Sequence, residues 1–271
     1  MVFLLDEVRV FETYLRVFKN KSLIIPMFNI SQVTGLVADF IIENLKLQPI
    51  AYINVKEVQP LMYVYSGRMT HPYTIYFNPH YPIMVLKIPF VLSMEKANQI
   101  FPKIADALMD WAERNEVKRA IAIDCTMPMG EEAKEVYFVT EEHLVAEVAS
   151  LGFKPFSGIL KSSGAYLLDE CMRRNIDGIL LVAESDFLKL FFEIYEAIAT
   201  RKIDKRTLAE MAKKVDIDAP AVIRLLEAVS KLTGVEFKIE ALEQRKEMFR
   251  RVIREIMNGL SRKERVELIY R

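Results

Sequence analysis

Two runs of uninterrupted apolar residues constrain this chain more than any other feature. Residues 23–28 read Leu-Ile-Ile-Pro-Met-Phe, and residues 178–183 read Gly-Ile-Leu-Leu-Val-Ala. A strand with one wet face alternates apolar and polar, so six apolar residues in a row between turns mark strands buried on both faces. The intervening segments supply the cover. Val33, Leu36, Val37, Phe40, Ile41, Ile42 and Leu45 recur at helical spacing, as do Ala97, Ile100, Phe101, Ile104, Leu108, Trp111 and Ala112 behind Ser93 as N-cap. Residues 165–172 form a further helix.

Four short strands, 50–55, 61–65, 74–77 and 83–88, follow one another without a helix, which requires antiparallel hairpins and therefore a mixed sheet. Residues 119–124 read as a central strand whose carboxyl end carries Asp124-Cys125-Thr126. A short strand over 136–139 then leads to Thr140 and His143, which fit the cap and first turn of the next helix. The rhythm is that of an α/β chain, a sheet flanked by helices.

Residues 186–199 are apolar on almost every side: Phe187, Leu188, Leu190, Phe191, Phe192, Ile194, Tyr195 and Ile198. Such a helix is covered on two faces, by its own domain and by either a second subunit or the C-terminal helices. The expected oligomer interface is Phe187, Phe191, Ile194, Tyr195 and Ile198. Composition changes at this point. Residues 201–271 carry 18 basic and 12 acidic side chains, and the first 200 carry 19 and 25. Helices are expected over 207–215, over 219–232 with Pro220 in the first turn, and over 242–257. The division is an α/β core over 1–200, a helical region over 201–260 and a flexible tail over 261–271.

The whole-chain charge, 37 basic against 37 acidic, points to neither nucleic acid nor an anionic membrane. The basic residues of 245–254 read as a solvated helix face; Phe249 belongs to the apolar stripe between them, and no interleaved aromatic surface is offered for stacking bases. No apolar run reaches the ~20 residues of a membrane helix, and residues 1–5 are too short and lack a basic lead for a secretory signal. With two cysteines, Cys125 and Cys171, and no disulfide framework, the expected location is cytoplasmic.

Signals for catalysis are sparse. The turn 158–164, flanked by Gly158 and Gly164, opens a helix but departs from the phosphate-loop pattern, and Gly35 stands alone. His71, His80 and His143 lack zinc-site spacing, so no metal and no cofactor are expected. Cys125 sits at a strand's carboxyl end, where reactive groups collect in such sheets, yet a small buried thiol is the more frequent use. Asp124, Glu184 and Asp186 occupy similar strand ends, where carboxylates also cap the following helix.

The end of the chain has its own signal. The highly charged segment 261–267 is followed by Leu268, Ile269, Tyr270 and Arg271. Apolar residues that finish a solvated tail dock somewhere, either on the chain's own surface or in a partner that also holds the terminal carboxylate.

Two longer stretches carry a family resemblance. The first is Val33-Thr34-Gly35-Leu36-Val37-Ala38-Asp39-Phe40, running on through Leu45 and followed by Ile50-Ala51-Tyr52-Ile53. The second is Phe156-Ser157-Gly158-Ile159-Leu160, then Ser163-Gly164-Ala165-Tyr166 and Asn175-Ile176-Asp177-Gly178, the last continuing through Glu184. Over residues 23–212 the chain resembles the proteasome assembly chaperone family, its archaeal homologues in particular. The resemblance implies an α/β/α sandwich with a mixed sheet, similar to nucleoside phosphorylases but without catalysis. It also implies a role for Ile269-Tyr270-Arg271, which resembles the hydrophobic–tyrosine–any-residue (HbYX) tail of proteasome activators. Such tails enter pockets between α-subunits of the core proteasome. The partners so implied are the core proteasome α-ring and further copies of this chain. The competing expectation is an enzyme binding a nucleoside or phosphate near Gly35, Asp124 and 158–164.

Overall fold

The computed structural model describes residues 8–12, 18–29, 31–55, 63–65, 68–88, 94–131, 133–160, 162–199 and 218–239. In chain order the elements are β1 (Val8–Glu12), β2 (Ser22–Pro26), α1 (Val33–Asn44), β3 (Gln48–Val55), β4 (Tyr63–Tyr65), β5 (Arg68–Thr70), β6 (Thr74–Phe77) and β7 (Ile83–Lys87). Then come α2 (Met94–Arg114), β8 (Arg119–Thr126), β9 (Val136–Thr140), α3 (Glu142–Ser150), β10 (Lys154–Pro155), α4 (Ser163–Arg174), β11 (Asp177–Glu184), α5 (Asp186–Ala199) and α6 (Ala219–Thr233).

Nine strands form one mixed sheet in the order β1-β3-β6-β7-β2-β8-β11-β9-β10. Its centre is parallel, β7-β2-β8-β11, and antiparallel pairs flank it on both sides. The two apolar runs are thus β2 and β11, on either side of β8. Alternate residues serve opposite faces. Leu23 and Ile25 of β2, Ala120 and Ala122 of β8, and Leu180 and Val182 of β11 pack with α2 and α4. Ile24, Ile121, Ile123, Ile179 and Leu181 pack with α1, α3 and α6. The result is the α/β/α sandwich, and each fully buried branched side chain contributes about 1.5–3 kcal/mol.

The helical region after residue 200 supplies part of one layer. Val222, Leu225, Leu226 and Val229 of α6 are buried in the same core as α1. Asp218 caps the helix, accepting from the Ala221 N–H at 3.0 Å, with Pro220 in the first turn and Gly234 ending it at φ 69°. The helices expected over 207–215 and 242–257 lie outside the described residues, as does Ser93.

Some local readings shift. The cap position of α3 is Glu141, while Thr140 ends β9 and donates its hydroxyl to the Gly178 carbonyl at 2.6 Å. Tertiary pairing of β9 with β11 has captured a hydroxyl that could have capped a helix. Residues 63–65 do form a strand, but it pairs only with β5, outside the main sheet. β1, not anticipated from sequence, adds an antiparallel edge to β3.

Two glycines let α4 approach β11 closely. A Cβ on Gly164 would lie 2.9 Å from Leu180 Cδ2, and one on Gly178 would lie 2.9 Å from Cys171 Cβ. The Cys171 carbon is anchored at the backbone and has nowhere to move. Gly178→Ala is therefore expected to destabilise the fold by about 1–3 kcal/mol, read as a lower midpoint in urea with an unchanged slope. Opposite these glycines, Arg174 joins α4 to α2. Its guanidinium holds Asp106 at 2.6 Å, the Asp110 carboxylate at 2.5 Å, and Glu170.

Candidate functional site

Leu268, Ile269, Tyr270 and Arg271 lie outside the described residues. The side chains of Tyr195 and Ile198 do so too. The remainder of the α5 surface is visible. Among its described side chains only Leu188 is buried; Phe187, Phe191 and Ile194 are half-buried and Phe192 is exposed. Phe187 stacks on Phe191 at 6.4 Å, and Phe191 meets Phe192 edge-on at 5.8 Å, so an aromatic row remains partly open to solvent.

At the carboxyl ends of β2 and β8, the turn before α1 meets the turn before α4. Asn29 extends its Nδ2 to Asp124 Oδ1 at 2.9 Å and to the Cys125 carbonyl at 3.1 Å. The Cys125 N–H donates to the same carboxylate oxygen at 2.8 Å, and Ser162 adds a side-chain hydrogen bond. Asn29 Oδ1 accepts from the Ser31 N–H at 2.9 Å, and Ser31 Oγ accepts from Val33 at 3.3 Å. Burial raises the Asp124 carboxyl to about 6, against the opposing pull of Asn29, the Cys125 amide and Ser162. The Cys125 thiol is pushed far above its ordinary range, by burial first and by the Asp124 charge second. Burial thus favours the protonated thiol, the less reactive form.

This cluster contains Asp124 and the helix-opening turn, as the sequence indicated, but not Gly35. That glycine lies within α1, and the nearest atom to a Cβ there would be 4.0 Å away. Ser162 Oγ accepts from the Gly164 N–H at 3.2 Å, so the turn's hydroxyl caps α4. Asn29, Ser31 and Ser162 were not singled out from sequence. Their spacing in the chain carries no motif, and only the sheet brings them to Asp124.

Glu184 and Asp186 also serve loops. The Glu184 carboxylate, almost fully buried, accepts from the backbone N–H groups of Met129 at 2.9 Å, Lys134 at 2.9 Å and Glu135 at 3.1 Å, and from the Tyr137 hydroxyl at 3.1 Å. Asp186 Oδ1 accepts from Ala133 at 3.2 Å. Together they fold the β8–β9 connection over the end of β11. Behind them, Arg224 of α6 donates to the Glu184 carbonyl at 2.7 Å, and Ser185 donates to Asp218 at 2.7 Å. The strand end is thereby locked to the α6 cap. Among the described residues, no three His, Cys, Asp or Glu side chains are grouped to hold a metal, and no helix is long and apolar enough to cross a membrane.

Comparison with known proteins fits this arrangement. The family model described as "PAC2 family" matches residues 23–257, nearly the whole sandwich and beyond. The chain belongs to the PAC2 family. The resemblance read from the sequence is borne out, and the match extends past residue 212. Among solved structures, Pyrococcus furiosus PbaA, an archaeal homologue of proteasome-assembly chaperone, superposes with a TM-score of 0.70 at 18% identity, covering 93% of this chain and 96% of that one. Pyrococcus furiosus PbaB, an archaeal proteasome activator, gives 0.66 at 16%, covering 93% and 99%. A PAC2 family protein from Streptomyces avermitilis gives 0.53 at 12%, covering 92% and 99%. At these identities the likeness establishes a shared fold. Among curated proteins, no sequence match reaches significance.

Proposed function

We propose that this PAC2 protein is a non-enzymatic partner of the core proteasome, acting as an assembly chaperone, an activator or both. Its Leu268, Ile269, Tyr270 and Arg271 dock into pockets of the α-ring, and copies of the chain associate so that several tails engage together. The observation that carries this reading is family membership joined to the Ile269-Tyr270-Arg271 sequence; likeness to a chaperone homologue and an activator supports it. A few tail residues bury little surface, so one tail binds weakly. Several tails on one oligomer gain effective concentration when their spacing matches the pockets. The half-open aromatic row of α5 is the face assigned to self-association in this scheme. The setting is the cytoplasm, without nucleic acid or membrane.

The non-enzymatic part draws support from the strand-end cluster. Asp124 and Glu184 spend their hydrogen-bonding capacity on Asn29, Ser162 and loop amides. The competing reading, a phosphate- or nucleoside-binding enzyme, draws on the raised Asp124 carboxyl at the classical ligand end of the sheet. A phosphate there would meet an acidic group that becomes anionic near neutral pH.

The deciding experiment is peptide hydrolysis by latent archaeal core proteasome titrated with this protein. Stimulation is expected, and it should disappear both on deleting Ile269 to Arg271 and in Tyr270→Ala. No stimulation, no co-sedimentation and no effect on α-subunit assembly would defeat the proposal. A phosphate or nucleoside co-purifying with the protein would turn attention to the Asp124 cluster.

A further inference from the structure

The two edges of the nine-stranded sheet differ in kind. One is β10, two residues long and made of Lys154 and Pro155, a form that resists pairing because proline offers no N–H and lysine is costly to desolvate. The other is β1, five residues of alternating pattern, Val-Arg-Val-Phe-Glu, which pairs with β3 along its whole length. Among the described residues no strand borders its outer side. Alongside it runs an open groove of about 520 Å³, lined by Val8, Val10, Lys103, Asp106, Asp110 and Arg114.

We infer that this edge pairs with the same edge of a second copy of the chain, antiparallel and centred on Val10. The occupant follows from self-complementarity. β1 and α2 run in the same direction, because Glu12 accepts from Asn115 just beyond the end of α2 at 3.0 Å. The Val8 end of β1 therefore lies toward Lys103. In an antiparallel pair centred on Val10, Val8 stands opposite Glu12 of the second copy. That brings the second copy's Glu12 to the Lys103 end of the groove, and symmetry repeats the contact on the other side.

The outer face matches as well. Phe11 stacks on Tyr52 at 5.1 Å and 14°, and Tyr52 stacks on His71 at 3.8 Å and 5°. Phe11 is nevertheless 40% exposed. The same register sets Arg9 of the second copy opposite Phe11, extending the row by a guanidinium over an aromatic face. Val8 and Val10, packed against the core yet only partly buried, would be covered in the same step. This contact rests on neither the tail nor α5.

Light scattering on the full chain is expected to show a dimer, or an even-numbered assembly built from it where α5 also engages, at micromolar concentration. Glu12→Lys and Lys103→Glu each set like charges together twice per dimer. Each should raise the dissociation constant about tenfold, and the double exchange should restore it. Val10→Cys places two thiols across the symmetry axis, with Cα atoms about 4.5–5.5 Å apart, within the span of a disulfide. It should form a covalent dimer under mild oxidation. Cys125 and Cys171 are buried, so the new thiol reports alone. Arg9→Cys, offset from the axis, should not cross-link. Thermal melts confirm that each variant is folded. A folded Val10→Cys that stays monomeric on a non-reducing gel would overturn the inference. So would a monomeric wild type, or an assembly indifferent to both charge reversals.

Discussion

Replacing Glu184 by alanine should lower the stability of this protein by about 3 kcal/mol, because three backbone N–H groups and a tyrosine hydroxyl lose their common acceptor. Water entering the space left by the side chain recovers part of the loss, which is why the figure stays well below the sum of four orphaned donors. A chain of this size shifts by about 2–4 °C per kcal/mol, so the melting temperature should fall by about 10 °C. Glu184→Gln tests whether charge or shape matters. Both carboxylate oxygens accept from N–H or O–H groups, and a glutamine amide can offer an oxygen to only one side. It should therefore destabilise less than alanine but clearly more than zero.

The pH dependence of this residue has a definite sign. Burial alone would raise its carboxyl, but the amides of Met129, Lys134 and Glu135 and the Tyr137 hydroxyl outweigh that and hold it below its ordinary 4.5. Its contribution is fully present above pH 4.5 and fades as the pH falls through the lower folded value. Wild type and Glu184→Gln should converge in acid. Melting curves that stay parallel from pH 7 to pH 3 would show that the loop is held by something else.

Asp124→Asn should have the opposite effect and stabilise the protein at neutral pH. The wild-type carboxyl is raised from 3.8 to about 6, so the unfolded chain releases its proton first and stability falls between those two values as pH rises. The full difference is worth about 3 kcal/mol, an upper bound on what the variant regains above pH 6. Asparagine suits the site. Its oxygen accepts from Asn29 and the Cys125 amide as Asp124 Oδ1 does, and its amide can donate to Ser162. The variant should melt several degrees above wild type at pH 7.5 and match it near pH 4. Urea midpoints at the two pH values decide the matter. An Asn variant that is weaker at pH 7.5 would mean that the ionised carboxylate is held by charge-dependent contacts.

These two carboxylates also show where reading the chain stops. Both stand at strand ends, and sequence alone offered helix capping or catalysis for them. In the structure both carboxylates hold loops. Glu184 reaches back some fifty residues to the β8–β9 connection, and Asp124 accepts from Asn29, nearly a hundred residues earlier. Hydrogen bonds over such separations have no periodicity to betray them. The β1 edge escaped for another reason. Its Val-Arg-Val-Phe-Glu alternation is a strand pattern, but five residues do not say which sheet or which edge they will join.

What the sequence by itself determined is the sandwich and the family. Long apolar runs at β2 and β11 demand cover on both faces, and helical stripes on α1 and α2 provide it. These are local patterns, written in spacing because burial selects residue type position by position. Only the tertiary structure decided strand order, the place of β1 at the edge of the sheet among the described residues, the close approach of α4 to β11 at Gly164 and Gly178, the burial that raises Asp124 and the donors that surround Glu184. Each of these depends on which distant segments meet, and a carboxylate's environment is a sum over neighbours in space, not in the chain.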